Sequence, residues 1–165
     1  MSAVYSVKEI YIYPIKSLAG ISCKYAFAQE MGFENDRRWM LIDADNQMIT
    51  QREHPIMSQF YPQIADGKLS LVFQEQQHEF SIDEYIDAKI ETTVWDDKTE
   101  VFEVSKNTSK WFSDCLGFEC KLVKINNLGD RRHESSKLKE TFNVSLADGY
   151  PYLLVGTESM DVLND

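Results

Sequence analysis

Most of the chain alternates hydrophobic and polar residues with the period of two that is typical of β-strands. Runs of this kind lie at 4–13, 21–27, 39–42, 48–50, 60–64, 69–73, 78–82, 86–95, 99–104 and 121–125. Polar turn residues at 43–47 and at Asp66-Gly67 separate neighbouring runs and predict hairpins. Short, evenly spaced strands indicate a mainly β fold of the α+β class, a small antiparallel β-barrel or sandwich.

The period changes near residue 106. Hydrophobic residues at 111, 112, 115 and 116 follow helical spacing, with Ser105 or Thr108 as a candidate N-cap and Gly117 as the residue after the last turn. The sequence therefore predicts one amphipathic helix near 106–116. The polar, basic segment 126–139 is predicted to be a loop.

An apolar strand is predicted at 152–155, and Thr157 can cap a helix that the terminus at Asp165 cuts short. A domain rarely stops where an amphipathic helix begins. We therefore expect the chain to be part of a longer protein.

The length and the charge of the chain exclude several classes of protein. With 165 residues, of which 43% are hydrophobic, it is long enough for one domain or slightly more. Its net charge of −10 opposes binding to duplex nucleic acid, and its apolar runs are too short to cross a membrane. Three cysteines cannot all pair internally, so we expect a reducing compartment, the cytoplasm.

Charge is distributed unevenly along the chain. Segment 74–103 contains ten acidic and two basic residues, whereas segment 121–139 contains six basic and two acidic residues. The acidic segment is either a solvated face or a docking surface for a basic redox partner, and the basic segment can serve an anionic small molecule.

Sequence motifs for metal and nucleotide chemistry are missing. His54, His78 and His133 are far apart, and the spacing of Cys115 and Cys120 fits buried cysteine better than metal ligation. No glycine-rich nucleotide loop and no Gly-x-Ser-x-Gly elbow occur. We assign no catalytic residue and no metal ligand.

Three polar corners at predicted strand ends remain. Lys16 and Ser17 follow Pro14 and suit a phosphate, but an exposed hairpin lysine is the alternative. Arg37 has a guanidinium that matches phosphate oxygens, although an Asp–Arg pair bracing a turn explains it equally well. The third corner, at 148–151, is explained equally by an ordinary turn.

Together these corners resemble a known family. The matching segments are 13–20 (YPIKSLAG), 31–33 (MGF), 36–43 (DRRWMLID) and 49–52 (ITQR), followed by 111–113 (WFS), 116–117 (LG), 148–151 (DGYP), 157–160 (TESM) and 163–164 (LN). They are similar to the N-terminal β-barrel domain that precedes molybdenum-cofactor-sulfurase C-terminal (MOSC) domains, and to the start of MOSC itself. The resemblance implies a barrel-like domain over 1–125 and the beginning of a MOSC domain over 126–165.

The family includes the mitochondrial amidoxime-reducing component and bacterial relatives, which bind a molybdenum pterin cofactor and reduce N-hydroxylated compounds. The resemblance implies that Lys16, Ser17 and Arg37 contact the phosphate of the anionic pterin. It also places Asp148, Gly149 and Tyr150 in a loop near the cofactor. Arg131 and Arg132, in the basic segment, are weaker candidates for cofactor binding.

In this family a cysteine late in the MOSC domain holds the molybdenum, and none of the three cysteines lies in that motif. The resemblance therefore implies the N-terminal portion of a molybdenum-dependent oxidoreductase, inactive alone, whose parent takes electrons from a redox partner or a C-terminal ferredoxin-like domain. A sulfur-carrying MOSC protein remains open. A different class, a non-catalytic β-barrel module that docks a partner or ligand, also remains open.

Overall fold

Short antiparallel strands and two helices make up the computed structural model of the protein, which describes residues 5–125, 131–135 and 139–164. The strands are β1 (Ile10–Ile12), β2 (Ile21–Cys23), β3 (Ala28–Gln29), β4 (Gly32–Phe33), β5 (Trp39–Asp43), β6 (Tyr61–Ala65), β7 (Lys68–Phe73), β8 (Gln76–Ser81), β9 (Lys89–Val94), β10 (Asp97–Glu103), β11 (Cys120–Lys124), β12 (Arg132–Ser135) and β13 (Glu140–Asn143). The helices are α1 (Lys106–Leu116) and α2 (Thr157–Asn164), and a 3₁₀ helix covers Pro55–Gln59.

Two sheets form the framework. Strands β5, β11, β10 and β9 make a four-stranded sheet in that order, and β6, β7 and β8 make a three-stranded meander. Strands β1–β2, β3–β4 and β12–β13 form two-stranded ribbons. This mostly β architecture with two helices confirms the predicted fold class, a small barrel or sandwich.

Helix α1 covers the larger core and has the predicted ends. The Ser105 hydroxyl accepts a hydrogen bond from the Thr108 N–H at 3.2 Å, and Gly117 ends the helix at a φ of 80°. Phe112 packs against Phe60 with ring centroids 5.4 Å apart, and Phe60 stacks on Phe73 at 4.0 Å. The helical period in the sequence thus corresponds to a face that closes the β-core.

The structure corrects four predicted elements. The strand predicted over 4–13 is only Ile10–Ile12, because β2 offers a partner of just three residues and Tyr5 and Val7 stay exposed. The second arm of the 39–50 hairpin is a single bridge between Ile42 and Met48.

The other two corrections lie near the C-terminus. The loop predicted over 126–139 contains β12, which pairs with β13; its polar sequence reflects a ribbon that is mostly exposed. Residues 126–130 and 136–138 of that prediction lie outside the described residues. The apolar run 152–155 is not a strand, since it pairs with none of the described strands and Leu153 and Leu154 face solvent. Helix α2 is present but buries no side chain.

Residues 144–148 return across the four-stranded sheet. The Leu146 N–H donates to the carbonyl oxygen of Arg37 at 2.9 Å, and the Leu146 side chain is buried with Met40 and Ile42. This return brings Asp148 to the first polar corner. None of the helices in the described ranges combines the length and apolar composition that crossing a bilayer requires.

Candidate functional site

Backbone hydrogen bonds join the first two polar corners side by side. The Arg37 N–H donates to the Tyr13 carbonyl at 2.8 Å, and the Lys16 N–H donates to the Trp39 carbonyl at 2.8 Å. Between them, Ile15 and Trp39 form a parallel bridge. Two segments that are separate in the sequence therefore form one continuous edge.

Lys16 is not an exposed hairpin lysine. Only 7% of the residue is accessible, and its ammonium donates to the Oδ1 atom of Asp148. Burial lowers the pKa of Lys16; the Asp148 partner opposes that shift, and the charges of Arg131 and Arg37 add to it. The backbone bridge between the two segments places Lys16 and Arg37 at the same edge.

Asp148 is the exposed half of that ion pair. Its side chain is 64% exposed, whereas that of Lys16 is 9% exposed. Oδ1 also accepts a hydrogen bond from the Trp95 indole at 2.8 Å. Burial would raise the pKa of Asp148, but the hydrogen bonds from Lys16 and Trp95 prevail and lower it. The carboxylate is thus held ionised by two donors.

The Arg37 guanidinium contacts Asp36 and the Tyr13 ring, and its remaining N–H groups are available to a ligand. Its backbone is left-handed at φ 49°, Nη1 donates to Asp36, and the guanidinium lies 4.8 Å over the Tyr13 ring. Buried Asp36 also accepts the Tyr13 N–H at 2.7 Å, so the Asp–Arg pair does brace the turn. The other guanidinium N–H groups have no partner in the described part of the chain.

Ser17 supplies further donors. It adopts a left-handed φ of 69°, which a non-glycine residue rarely does without a local reason. Over the described ranges, neither its N–H nor its hydroxyl has a hydrogen-bond partner. Successive backbone N–H groups in such turns form concave anion sites.

A buried arginine that the sequence ranked low holds the third corner in place. Arg131 is fully buried, donates to Asp97 Oδ2 from Nη2 at 2.8 Å, and bonds the carbonyl oxygens of Ser145, Ala147 and Asp148. Burial lowers the pKa of Arg131, and Asp97 opposes that shift. The guanidinium therefore positions the 145–148 loop rather than facing a ligand.

Gly149 and Tyr150 belong to a neighbouring cluster and not to the Lys16 pocket. The Tyr150 hydroxyl lies 3.1 Å from the Ser135 hydroxyl, and its ring stacks on Phe142 at 5.8 Å. Gly149 lies against His133, which binds Asp97 at 3.1 Å. Of the third corner, the structure brings only Asp148 to Lys16.

Arg52 is a cation at this edge that the sequence did not single out as a site residue. Its guanidinium lies 5.0 Å over the Trp95 ring and helps to lower the pKa of Asp148. Arg52 ends the matching segment 49–52, but nothing local indicates its relation to Asp148, which arises only from folding. Arg132, the other low-ranked residue, is exposed on β12.

The donor set suits a tetrahedral oxyanion. Lys16 has two ammonium hydrogens beyond the one given to Asp148, and Arg37 and Ser17 have unpaired N–H and O–H groups. An oxyanion that displaced Asp148 would keep the Lys16 charge balanced. The described residues contain no group of His, Cys, Asp and Glu arranged to hold a metal ion, and the three cysteines are free.

Known proteins similar to this chain include molybdenum cofactor sulfurases and an amidoxime-reducing component. Molybdenum cofactor sulfurase from Arabidopsis thaliana is 25% identical over 96% of this chain and 21% of its own length, and the human enzyme of that name is 26% identical over 93% and 18%. Mitochondrial amidoxime-reducing component 1 from mouse is 24% identical over 99% of the chain and 51% of its own length. The chain thus spans about a fifth of the sulfurases and about half of the mouse protein.

A solution structure from Bordetella bronchiseptica is 16% identical, with a TM-score of 0.49 over 63% of this chain and 90% of that one. The family model for the MOSC N-terminal beta barrel domain matches residues 4–119, which is most of the chain and includes Lys16, Ser17 and Arg37. This chain belongs to the MOSC N-terminal beta barrel domain family.

Proposed function

We propose that this chain is the N-terminal portion of a molybdenum-cofactor-binding MOSC oxidoreductase, in which Lys16, Ser17 and Arg37 bind the phosphate of the pterin. The observation that carries the proposal is the buried ammonium of Lys16, which lies at the same edge as Arg37 and whose one ion-pair partner among the described residues is an exposed carboxylate. Burying a lysine charge is unfavourable unless an anion pairs with it, so a buried lysine at such an edge favours an anion-binding site.

Binding would proceed by exchange of anions. The phosphate would compete for Lys16 with the Asp148 carboxylate, which is exposed and also accepts a hydrogen bond from the Trp95 indole. Arg37 adds its unpaired N–H groups while Asp36 continues to hold Nη1. Ser17 contributes its hydroxyl and backbone N–H.

The chemistry would be supplied by the cofactor. When bound, the cofactor would supply the reduction of N-hydroxylated compounds, and this chain would contribute binding and orientation. Cys120 does not suit a ligand role, because burial raises its pKa to about 11 and keeps the thiol protonated. The proposal therefore assigns the metal ligand to a residue outside this chain, and the chain alone is inactive.

The same proposal divides the chain into a barrel-like domain over 1–125 and the start of a MOSC domain over 126–165. We place the protein in the cytoplasm. Electrons would come from a redox partner protein or a C-terminal ferredoxin-like domain. The acidic segment 74–103, with exposed Glu75, Glu84 and Asp87, offers a surface of the right charge for a basic partner.

The test is the molybdenum content of the complete gene product. Lys16→Met and Arg37→Met should each purify with several-fold less molybdenum and pterin per protein than the wild type. Lys68→Met is the matched control, because Lys68 forms an exposed ion pair with Glu79 on β7–β8. Unchanged metal content in both site variants would overturn the proposal.

A second function, a non-catalytic module that docks a partner, is favoured by one observation. Tyr5, Tyr11 and Tyr13 are 90%, 46% and 36% exposed, as a docking surface of aromatic residues requires. Reading the gene past codon 165 discriminates: a cysteine in a MOSC-like context supports the oxidoreductase, and a stop codon supports the module. A sulfur-carrying role without reductase activity would use the same phosphate site and is separated by activity assays.

A further inference from the structure

Two hydrogen-bond donors from distant turns converge on one oxygen atom at the proposed phosphate site. The Lys16 ammonium and the Trp95 indole N–H both donate to Oδ1 of Asp148, the indole at 2.8 Å. Lys16 lies between β1 and β2, whereas Trp95 is the first residue of the two-residue turn between β9 and β10. An oxygen atom at the position of Oδ1 therefore accepts a hydrogen bond from a cation and from an indole at once.

The turn between β9 and β10 does not itself explain the tryptophan. Trp95 has a left-handed φ of 55°, and two-residue hairpin turns favour glycine, asparagine or aspartate at such a position. Its ring is 45% exposed and lies outside both clusters of buried hydrophobic residues. A bulky residue in this conformation is uncommon and is often found at a functional site. The contacts of the indole, not its backbone, therefore indicate what Trp95 does.

Arg52 adds a positive charge beside that indole. Its guanidinium lies 5.0 Å from the centre of the Trp95 ring. Arg52 is exposed and forms no ion pair with any residue that the structure describes. Glu53, its acidic neighbour, instead accepts a hydrogen bond from the Thr50 hydroxyl at 3.3 Å. The charge of Arg52 is therefore available to a ligand that reaches Trp95.

The place of the Asp148 carboxylate favours negative charge. Burial would raise the pKa of Asp148, but the hydrogen bonds from Lys16 and Trp95, together with the charges of Lys16 and Arg52, lower it. The neighbouring carboxylates are held by other cations, in the pairs Asp36–Arg37 and Asp97–Arg131. An anionic oxygen from a ligand would meet the same donors at this place.

We propose that Trp95 and Arg52 are further binding residues of the phosphate site. The Trp95 indole N–H donates to the phosphate oxygen that takes the place of Asp148 Oδ1 at Lys16, and the Arg52 guanidinium adds a second positive charge. A phosphate group presents more strong acceptor oxygens than a carboxylate, so it serves more donors at once. This inference rests on the proposed function, because it requires an anion at Lys16.

A purely structural role for the two residues makes the opposite prediction. If Trp95 and Arg52 only hold Asp148 in place, removing them frees Lys16 from its competing carboxylate and tightens phosphate binding. If they bind the phosphate, removing them weakens that binding. The sign of the change in affinity therefore decides between the two roles.

Phenyl phosphate, titrated into the full 165-residue chain, is the probe. The indole ¹⁵N–¹H signal that disappears in Trp95→Phe belongs to Trp95, and phenyl phosphate should shift it saturably in the wild type. Calorimetry should show that Trp95→Phe binds about tenfold more weakly, as expected for a hydrogen bond to a charged group. Because the guanidinium is exposed, Arg52→Met should weaken binding by only about threefold, and Arg52→Lys should recover part of that loss.

Trp111→Phe on α1 and Lys68→Met on β7 are the matched controls and should bind as the wild type does. If Lys16→Met loses affinity while Trp95→Phe and Arg52→Met bind as the wild type or more tightly, this inference is overturned and the phosphate site stands. If Lys16→Met binds as the wild type does, the phosphate site itself is overturned. Should Trp95→Phe fail to fold, Arg52→Met carries the test with the same expected direction.

Discussion

Lys16 and Asp148 lie 132 positions apart and form an ion pair in which a buried ammonium meets a largely exposed carboxylate. This difference in exposure matters because Lys16 is enclosed by the fold, whereas the Asp148 carboxylate is accessible to solvent. In the proposed phosphate site, Lys16 is the buried cation and the exposed Asp148 carboxylate is the anion with which a ligand would compete.

Lys16→Met should leave the free energy of unfolding unchanged within about 0.5 kcal/mol, or increase it, since apolar residues often replace buried ions without loss. Because burial lowers the pKa of Lys16 below 10.5, the cost of burying its charge falls as the pH rises through the folded-state value. Urea unfolding at pH 7 and pH 10 checks both points. A loss of more than about 2 kcal/mol at pH 7 would make Lys16 a structural residue.

Asp148→Asn should destabilise the protein by about 1 kcal/mol at pH 7, less than for a fully buried pair because the carboxylate is exposed. The pKa of Asp148 is below 3.8 in the folded state, so its contribution is present above that pH and is lost as the pH falls through the folded-state value. The variant and the wild type should therefore converge in acid. Asp114→Asn, which breaks the exposed Lys110–Asp114 pair, is the control and should cost under about 0.5 kcal/mol. If the difference in the free energy of unfolding between Asp148→Asn and the wild type persisted in acid, it would contradict this account.

Arg131→Met should cost about 3–5 kcal/mol, because it leaves Asp97 and three loop carbonyls without their donor. Its neighbour Arg132 is exposed, and Arg132→Met should change stability by less than about 0.5 kcal/mol. Denaturant unfolding of the two variants compares a buried with an exposed arginine at adjacent positions. Equal effects would show that the 145–148 loop does not depend on Arg131.

Gly32→Ala tests how the β3–β4 ribbon meets the loop after Asp148. Gly32 has a φ of 112°, and a Cβ there would lie 2.7 Å from the carbonyl oxygen of Pro151, a backbone atom that cannot turn aside. We expect a loss of about 2 kcal/mol or more. Gly67→Ala, at a φ of 72° with open space around it, should lose only about 1 kcal/mol. Thermal unfolding compares the two variants. Equal losses of stability would mean that the Pro151 carbonyl does not limit the space at Gly32.

The sequence was most informative where one local rule decides the structure. Ser105 and Gly117 set the ends of α1, and Asp66-Gly67 set the β6–β7 hairpin, because caps and turns depend on a few adjacent residues. The strand prediction failed at 152–155, where an apolar run has no partner strand among the described residues. Strand pairing is a tertiary property that a run of apolar residues does not specify.

At the site, the sequence pointed to Lys16 and Arg37 but not to their environment. Nothing local indicates that Lys16 is buried or that Asp148 crosses the chain to meet it. Arg131 was ranked low because a basic segment usually means solvent, whereas its pairing with Asp97 buries it. Contacts between distant segments are set by the return of 144–148 across the sheet, which no motif encodes.

The affinity of the chain for molybdopterin tests the central claim most directly. Fluorescence titration should show that Lys16→Met binds at least about tenfold more weakly than the wild type, the loss expected for one charge-assisted hydrogen bond. Lys110→Met, an exposed lysine on α1, should bind as the wild type does. Equal affinities for Lys16→Met and the wild type would contradict the assignment of this edge as the phosphate site.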